Sequence, residues 1–540
     1  MDESNAVSFV TNEIITNPVR SEIHITHSGS PPKTHATFAI TNKKPKFPSD
    51  LWETGQLIYS LRNPVLPPQN VTDKSDRILR FDSRFESGNL LKAYHLHGDS
   101  YHLILEQDCN KSGSCQWFYF QIKNIKKEIK YTFIISGFHK FGGVFTSGSK
   151  VFVYSEQNAK ATGTSWYRDG TNYQFGITQK SETDKRSTLQ FQMKFNYDND
   201  TVYFAYGIPY TYSDLLNYIQ KWQKSSNQIF AHEILCKSYG GRDCPMLTIT
   251  NRSIPANKKE YLMFTGRCHP GESNGSVVLH GLIEFFLSTT QSAQYLRNHY
   301  IIVIVPMINI DGVIEGYYRI CQCGHDLNRM WTTPDPNKHP IVYHTKQLLA
   351  KLKPKVYIDF HGHSRMNGTF AFGCPNADEN HDREKVLPKI ISYTSSAFSY
   401  GKCMFSIPPK RQSASRCVAK LEMGILQSFT LETSFGGIVN GKFSSVLYDE
   451  GLWKKIGLDI GESIYNLLTT EHSKIRVLVE KELKLNVTEP KPLIKGIISS
   501  QSIKIATPMK GCLNGSAQII HNRQSQKPYY GKKLNSTIIL

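Results

Sequence analysis

The chain has 540 residues, which is more than one ordinary domain, and its 39% hydrophobic and 20% charged residues suffice for a sizeable core. These proportions exclude a chain that is unfolded throughout, and the longest apolar run, Tyr300 to Ile310, is too short to span a membrane. The 64 basic and 45 acidic residues give a net charge of +19, which favours an acidic partner.

The first part of the chain predicts a lead-in segment and an antiparallel β domain. Residues 1–74 are rich in proline, asparagine and threonine without periodicity, which predicts a loosely ordered segment. From 75 to 230, aromatic and β-branched runs such as 116–122 alternate with turn residues at even spacing. This spacing predicts an antiparallel β-sandwich. Ser213 is expected to cap a helix that reaches Trp222.

Residues 231–475 alternate between strand and helix patterns. The predicted strands are 261–264, 300–305, 356–360 and 426–431, and the clearest predicted helices are 274–287 and 341–352. This alternation predicts an α/β domain with a mixed, largely parallel sheet, whose ligand site lies beyond the carboxyl ends of the strands.

Residues 476–540 are predicted to form a basic C-terminal tail. The stretch 491–540 contains eight basic residues and no acidic residue. We interpret it either as a solvated tail or as an electrostatic tether to an acidic surface. No secretory signal is visible at Met1 to Asn5, so a cytoplasmic protein is expected. The eleven cysteines have no framework spacing, and Cys321 and Cys323 are too close to form half of a usual zinc knuckle, so free thiols are expected.

The loop after the first parallel strand carries a candidate metal pair. His269 and Glu272 are three positions apart, and on a curved backbone both side chains can reach one Zn²⁺. His361 follows the strand 356–360 and supplies a third candidate ligand. Two histidines, a glutamate and an open position make up a hydrolytic zinc site. His363 is a rival for the third position, because residues i and i+2 of a strand face the same side.

Further polar residues suggest anion binding and base catalysis. Arg319, Asn328 and Arg329 share one loop, and an arginine fork beside an amide suits a carboxylate. The alternative is that the loop arginines form ion pairs with Glu315 or Asp326. Glu432 ends an apolar strand and is a candidate general base for a zinc-bound water. An ion pair of Glu432 with Arg416 or Lys420 is the alternative for that residue.

Several segments in this order resemble the cytosolic carboxypeptidase branch of the zinc metallocarboxypeptidases, enzymes that trim glutamate from tubulin. The segments that carry the resemblance are Thr265 to Glu272, Val305 to Val313, Asp326 to Arg329, Asp359 to Arg365 and Thr430 to Thr433, with Phe85 to Asn89, Gln116 to Phe120 and Pro209 to Tyr212 upstream. The resemblance implies a β-sandwich followed by an α/β carboxypeptidase domain, and one Zn²⁺ per chain.

The resemblance also implies roles for single residues. The metal ligands would be His269, Glu272 and His361, which would decide between His361 and His363. Glu432 would be the catalytic base, and Arg319 would stabilise the oxyanion. Asn328 and Arg329 would hold the terminal carboxylate of the substrate. Basic residues upstream of the base favour an acidic terminal side chain in this branch; here these are Lys410, Arg411 and Arg416, of which Arg416 is the best candidate.

The implied substrate is a C-terminal glutamate of a protein or polyglutamate chain. The implied partners are acidic tails such as those of tubulin and microtubules, with no nucleic acid, in the cytoplasm and near microtubules or cilia. Gly266, Ile310, Phe429 and Gly436–Gly437 depart from the usual motifs without removing a ligand or the base. Two rival functions are a zinc amidohydrolase of acyl-amino acids and a non-catalytic binder of acidic tails.

Overall fold

The computed structural model describes residues 47, 51, 54–63, 77–109, 114–179, 184–377, 380–439, 446–469 and 473–485. They belong to one compact unit, Met1–Leu485. The second unit, Asn486–Leu540, lies outside the described residues, and with it lies most of the predicted basic tail. None of the helices in the described ranges has the length and apolar character needed to cross a bilayer.

The strands in these ranges are β1 (Gln56–Ser60), β2 (Arg80–Asp82), β3 (Lys92–His95), β4 (Ser100–Ile104), β5 (Tyr119–Lys123), β6 (Lys130–Phe138), β7 (Val151–Ser155), β8 (Tyr167–Asp169), β9 (Thr171–Gln179), β10 (Lys185–Lys194), β11 (Val202–Ala205), β12 (Phe230–Lys237), β13 (Asp243–Ile249), β14 (Glu260–Gly266), β15 (Tyr300–Val305), β16 (Val356–His363), β17 (Thr369–Phe372) and β18 (Gln427–Ser434). The helices are α1 (Glu156–Thr162), α2 (Tyr212–Ser226), α3 (Ser273–Leu287), α4 (Gln291–His299), α5 (Ile310–Ile314), α6 (Pro340–Leu352), α7 (Val386–Thr394), α8 (Ser415–Met423), α9 (Glu450–Leu468) and α10 (Lys474–Glu482).

Two mostly antiparallel sheets form the N-terminal β domain. One has the order β1-β3-β4-β6-β10-β9, with one parallel pair, β4 and β6, and the other has the order β2-β5-β11-β7-β8. Apolar side chains from the two sheets interdigitate between them. The ring of Phe204 on β11 lies 5.1 Å from that of Phe133 on β6 and 5.6 Å from that of Phe191 on β10. Burial of these rings supplies most of the driving force for the sandwich.

A seven-stranded mixed sheet forms the centre of the α/β domain, in the order β12-β13-β15-β14-β16-β18-β17. The four central strands, β15, β14, β16 and β18, run parallel, and the strand pairs toward both ends, β12 with β13, β13 with β15 and β17 with β18, are antiparallel. Strand β15 is buried along its whole length, as expected for a parallel strand covered on both faces. The predicted fold class, a β-sandwich followed by a mixed α/β sheet, is confirmed.

Local boundaries differ from the sequence-based ones where tertiary contacts decide. Strand β1 lies inside the segment 1–74, for which no regular structure was predicted; it forms because it pairs antiparallel with β3. Thr211, not Ser213, caps α2, and its side chain accepts from the backbone N–H of Asp214. The boundary predicted after residue 475 falls inside α10, whose Val479 is fully buried. Strand β16 extends beyond 360 because β18 continues beside it.

Arg168 on β8 connects the β domain to the α/β domain. Its guanidinium donates hydrogen bonds to the carbonyl oxygens of Phe435 (2.5 Å), Tyr448 (3.0 Å) and Lys150 (2.7 Å). It also lies 3.9 Å from the ring centroid of Phe152. Charge-assisted hydrogen bonds to carbonyls that are shielded from water are strong, so this residue fastens the chain just after β18 to the N-terminal domain.

We expect Arg168→Ala to lower the free energy of unfolding by about 2–4 kcal/mol, because several partly buried carbonyl oxygens lose their donor. Arg168→Met retains the apolar stem over Phe152 and should therefore recover a minor part of the loss. Chemical denaturation of both variants measures the difference. Equal stability of Arg168→Ala and the wild type would contradict this role.

Candidate functional site

Three polar side chains from different elements converge at the carboxyl ends of the parallel strands. His269 lies in the loop after β14, Glu272 immediately precedes α3, and His361 lies on β16. Strands β14 and β16 pair in parallel up to Gly266 and Phe360, so the loop after β14 begins next to His361. All three side chains are buried.

The donor atoms of the three residues face one another. His269 Nδ1 lies 2.9 Å from Glu272 Oε1, and His361 Nδ1 lies 2.9 Å from Glu272 Oε2. The two Nδ1 atoms are 3.1 Å apart. Such a set of two imidazoles and one carboxylate has the composition of a hydrolytic zinc site.

A second carboxylate orients each histidine. His361 Nε2 donates to Asp359 Oδ2 at 2.8 Å, and His269 Nε2 donates to Asp326 Oδ1 at 3.1 Å. Because the ring proton of each histidine is on Nε2, the lone pair of each Nδ1 faces Glu272. This arrangement of carboxylate, imidazole and metal is common around bound zinc, so the residues fit a zinc ion.

The charges in this cluster stabilise one another. Burial disfavours the charge on Glu272, but His269 and His361 outweigh it and hold the pKa of that carboxyl well below its usual range. Burial would also lower the pKa of His361, yet Asp359 and Glu272 raise it well above the ordinary value. The carboxylates therefore favour a positive charge at this point, either a proton on His361 or a metal ion whose binding displaces that proton.

Gly362 brings the backbone close to Glu272. Its N–H donates to Glu272 Oε2 at 3.0 Å, and a Cβ at this position would lie 2.1 Å from Asn274 Oδ1. The residue after it, His363, has a different role. His363 Nδ1 accepts the backbone N–H groups of Arg365 (3.2 Å) and Met366 (2.9 Å). The structure therefore brings His361, and not His363, together with His269 and Glu272.

Glu432 lies on β18 directly beside His361, its Cα partner in the parallel pair. Burial raises the pKa of Glu432 to about 7, and His361 opposes the rise. No ion pair joins Glu432 to Arg416 or Lys420 in the described part of the chain, and Lys420 donates to Asn376 instead. A carboxylate in this position is a candidate base.

Arg319 is held in place by two aspartates. Its guanidinium donates to Asp326 Oδ2 at 2.6 Å, which is the loop ion pair that the sequence left open. Asp108 of the β domain is buried and accepts the backbone N–H groups of Tyr318 (2.8 Å), Arg319 (2.8 Å) and Ile320 (3.1 Å). The N-terminal domain therefore shapes the loop that carries Arg319.

Asn328 and Arg329 lie in a short 3₁₀ helix, Leu327–Arg329, next to the cluster. Asn328 Nδ2 is 3.4 Å from His361 Nε2, and Asn328 Oδ1 accepts the N–H of Ser415 at 3.1 Å. Arg329 donates to the carbonyl of Asn328 at 2.7 Å and forms no ion pair within the described ranges. Its guanidinium is therefore available to an anion.

Arg416 is a buried cation without a carboxylate partner among the described residues. It lies at the start of α8 and is 5% exposed. Its Nη1 has one long hydrogen bond, 3.4 Å to Thr430 Oγ1, and its Nε has none. A positive charge at a helix N-terminus is also unfavourable. By contrast, Lys410 and Arg411 are exposed.

Sequence reasoning gave no role to Asp359 or Arg267, and it considered Asp326 only as an ion-pair partner of the loop arginines. A signal for Asp359 existed, because it lies two residues before His361 and shares its face of the strand. Arg267 is fully buried with a φ of 56°, an unusual conformation for a residue with a side chain. It braces the His269 loop by donating to the carbonyls of Pro270 (2.7 Å) and Tyr210 (2.8 Å), and no sequence pattern reveals this contact.

Comparisons with known proteins identify two matching domain families and similar proteins. Residues 215–440 match the model of the zinc carboxypeptidase family, and residues 81–206 match that of the cytosolic carboxypeptidase N-terminal domain. The chain is 36% identical over 440 residues to cytosolic carboxypeptidase 1 of Xenopus laevis, an alignment that covers 74% of this chain and 35% of that protein. It is 34% identical over 411 residues to cytosolic carboxypeptidase 2 of Macaca fascicularis, covering 74% of this chain and 49% of that protein.

Solved structures share the fold. The metallo-carboxypeptidase from Burkholderia cenocepacia has a TM-score of 0.60 and 19% identity, and the alignment covers 73% of this chain and all of that chain. The metallo-carboxypeptidase from Pseudomonas aeruginosa has a TM-score of 0.60 and 20% identity, and the alignment covers 72% of this chain and 99% of that chain.

The alignments with cytosolic carboxypeptidase 1 span about a third of the relative's length. Both domain types and the curated relatives lead to the same result: the chain belongs to the cytosolic carboxypeptidase branch of the zinc carboxypeptidases.

Proposed function

We propose that this chain is a zinc-dependent carboxypeptidase that removes C-terminal glutamate from acidic proteins or polyglutamate side chains. The observation that carries the proposal is the buried guanidinium of Arg416, which has no carboxylate partner among the described residues and whose charge acts on the base candidate Glu432 beside His361. We further propose that its substrates are tubulin tails and that it acts in the cytoplasm, at microtubules or cilia.

Each side chain of the site has a role in the proposed reaction. His269, Glu272 and His361 would hold the zinc ion, which supplies Lewis acidity toward a carbonyl oxygen and toward water. Glu432 takes a proton from the attacking water and returns it to the leaving amine, a role for which a pKa near neutrality is suited. Arg319 donates to the developing oxyanion.

Substrate recognition requires two anion sites. Arg329, with Asn328 beside it, holds the α-carboxylate of the terminal residue, since its guanidinium has no ion-pair partner in the described part of the chain. The side-chain carboxylate of a terminal glutamate then pairs with Arg416 and removes the cost of a buried unpaired charge. An apolar terminal residue leaves that cost in place.

The direct test is mass spectrometry of tubulin tails and of synthetic linear and branched polyglutamate peptides after incubation with the full chain. Loss of terminal glutamate, with peptides ending in leucine cut much more slowly, is the expected result. Hydrolysis of N-acyl amino acids without cleavage of peptides would contradict the proposal, as would the absence of any zinc-dependent turnover.

His361→Ala should lose bound zinc from this site, whereas His363→Ala should retain it. The two residues form a matched pair, because only His361 directs a nitrogen at Glu272 while His363 caps its own loop. Zinc content of the dialysed proteins measures the difference. Equal metal loss from both variants would show that the assignment of His361 is wrong.

Glu432→Gln should fold and retain zinc but lose nearly all turnover. The substitution preserves the shape of the side chain and removes the base, and general base catalysis contributes on the order of 10² to 10⁴-fold. Single-turnover kinetics on a Glu-terminated peptide, with metal content and thermal stability as controls, tests this role. A variant with more than about a tenth of wild-type activity is incompatible with Glu432 as the base.

Arg416→Ala should reduce kcat/KM on Glu-terminated peptides by roughly 30- to 1,000-fold, because a buried charge pair loses one partner. The loss should be much smaller on peptides with an apolar terminus. Arg411→Ala is the matched control: it removes an exposed charge, so its effect should be small and should vanish as salt is raised. Equal losses on acidic and apolar peptides would make Arg416 a structural residue only.

A further inference from the structure

A second group of metal-ligating side chains lies outside the catalytic cluster. Within the described residues, the donor atoms of Cys323, His325 and His339 lie within 4.8 Å of one another. The Sγ atom of Cys321 lies 3.0 Å from that of Cys323. The sequence predicted ordinary free thiols for Cys321 and Cys323, because two cysteines separated by one residue do not form half of a usual zinc knuckle. The structure adds two histidines that the sequence spacing did not bring together.

The backbone already has the shape of a chelating turn. Cys321 N–H donates to the carbonyl of His325 at 2.9 Å, and Gly324 N–H donates to the carbonyl of Cys321 at 2.9 Å. Gly324 has a φ of 87°, which a residue with a side chain rarely adopts. The turn thus brings Cys323 and His325 together, with the Sγ atom of Cys321 beside that of Cys323, and His339, the residue before α6, meets them from a second segment.

The distances fit a tetrahedral ion. His325 Nδ1 is 2.8 Å from His339 Nε2 and 3.8 Å from Cys323 Sγ. Bond lengths to zinc of about 2.0–2.3 Å place neighbouring tetrahedral ligands roughly 3.3–3.8 Å apart, so small rotations of the side chains suffice. In the catalytic cluster, the two facing nitrogens of His269 and His361 are 3.1 Å apart, a comparable separation.

A simple hydrogen bond competes with the metal for His339. Its Nδ1 accepts the backbone N–H of Asp335 at 3.2 Å, which leaves the ring proton on Nε2, where it is donated to His325. Coordination through Nε2 moves this proton to Nδ1 and gives up that long hydrogen bond. The loss is small compared with the free energy by which thiolates and imidazoles bind zinc in structural sites.

We propose that Cys321, Cys323, His325 and His339 form a second, structural zinc site. The donor set of two thiolates and two imidazoles favours zinc, and four protein ligands leave no open position, which is typical of a structural rather than a catalytic ion. The site closes the loop between His325 and His339. That loop contains Asp326, Asn328 and Arg329, so the second ion fixes the residues that contact His269 and the substrate carboxylate.

Metal content of the full chain, purified under reducing conditions with zinc and then dialysed, tests the proposal. The wild type should hold two zinc ions per chain. Cys323→Ser and His325→Gln should each hold one, as should His361→Ala, which loses the catalytic ion. Cys403→Ser is the matched control, since Cys403 belongs to neither donor group, and it should keep two.

Cobalt substitution distinguishes the two sites in a folded protein. A sulfur-to-cobalt charge-transfer band requires a thiolate ligand, and the catalytic cluster contains none. The band should therefore persist in His361→Ala and disappear in Cys323→Ser, with thermal unfolding confirming that both variants fold.

One zinc ion per chain in the replete wild type would overturn the second site, as would a Cys321–Cys323 disulfide in the purified protein or a Cys323→Ser variant that still holds two ions. None of these results affects the carboxypeptidase proposal, which depends on the ion lost in His361→Ala.

Discussion

The buried carboxylate of Glu272 is the constraint on which the site depends. A charged carboxylate removed from water is costly unless opposite charges and hydrogen bonds surround it. Here two imidazoles and the N–H of Gly362 contact its two oxygens, and Asp326 and Asp359 in turn hold the imidazoles. Each side chain of this network is held in one orientation by hydrogen bonds to its neighbours. A buried polar network whose groups are all hydrogen-bonded in this way adopts one arrangement.

The sheet order explains how such a network can form. β14, β16 and β18 are parallel neighbours, so their carboxyl ends lie side by side and present His269, His361 and Glu432 on one edge. In a parallel sheet this edge is the usual place for a ligand, because the loops that leave the strands are free of the hydrogen-bond ladder.

The N-terminal β domain contributes to the same edge without supplying a candidate catalytic side chain. Asp108 accepts three backbone N–H groups of the Arg319 loop, and Arg168 binds the carbonyls of Phe435 and Tyr448 after β18. Lys140 donates to Tyr318 and to Ser364 next to His363. Three loops of the site are therefore held from outside the α/β domain. The β domain thus helps to position loops that the α/β domain contributes to the site.

The central strands and the convergence of the candidate metal ligands could be predicted from the sequence. Features that depend on contacts between distant parts of the chain could not. Strands such as 300–305 are uniformly apolar, so their type and position could be predicted from local pattern. The edge strands β12 and β17 and the ion pair between Arg319 and Asp326 depend on partners that local pattern does not reveal. The choice between His361 and His363 could not be made from spacing, because both lie on one face of β16; it depends on the turn after Gly362, in which backbone N–H groups occupy the ring nitrogen of His363.

Exposed and buried positive charges of this chain act over different distances. The net charge of +19 comes from an excess of lysines and arginines, and the field of the exposed ones, such as Lys410 and Arg411, is screened over about 8–10 Å at physiological salt and speeds the encounter with an acidic chain. Arg416 is buried, so its charge is screened little, and in the proposed function this charge selects the terminal residue. If the proposed function holds, attraction of an acidic tail and selection of its last residue have separate physical origins, because the first depends on exposed charges and the second on a buried one.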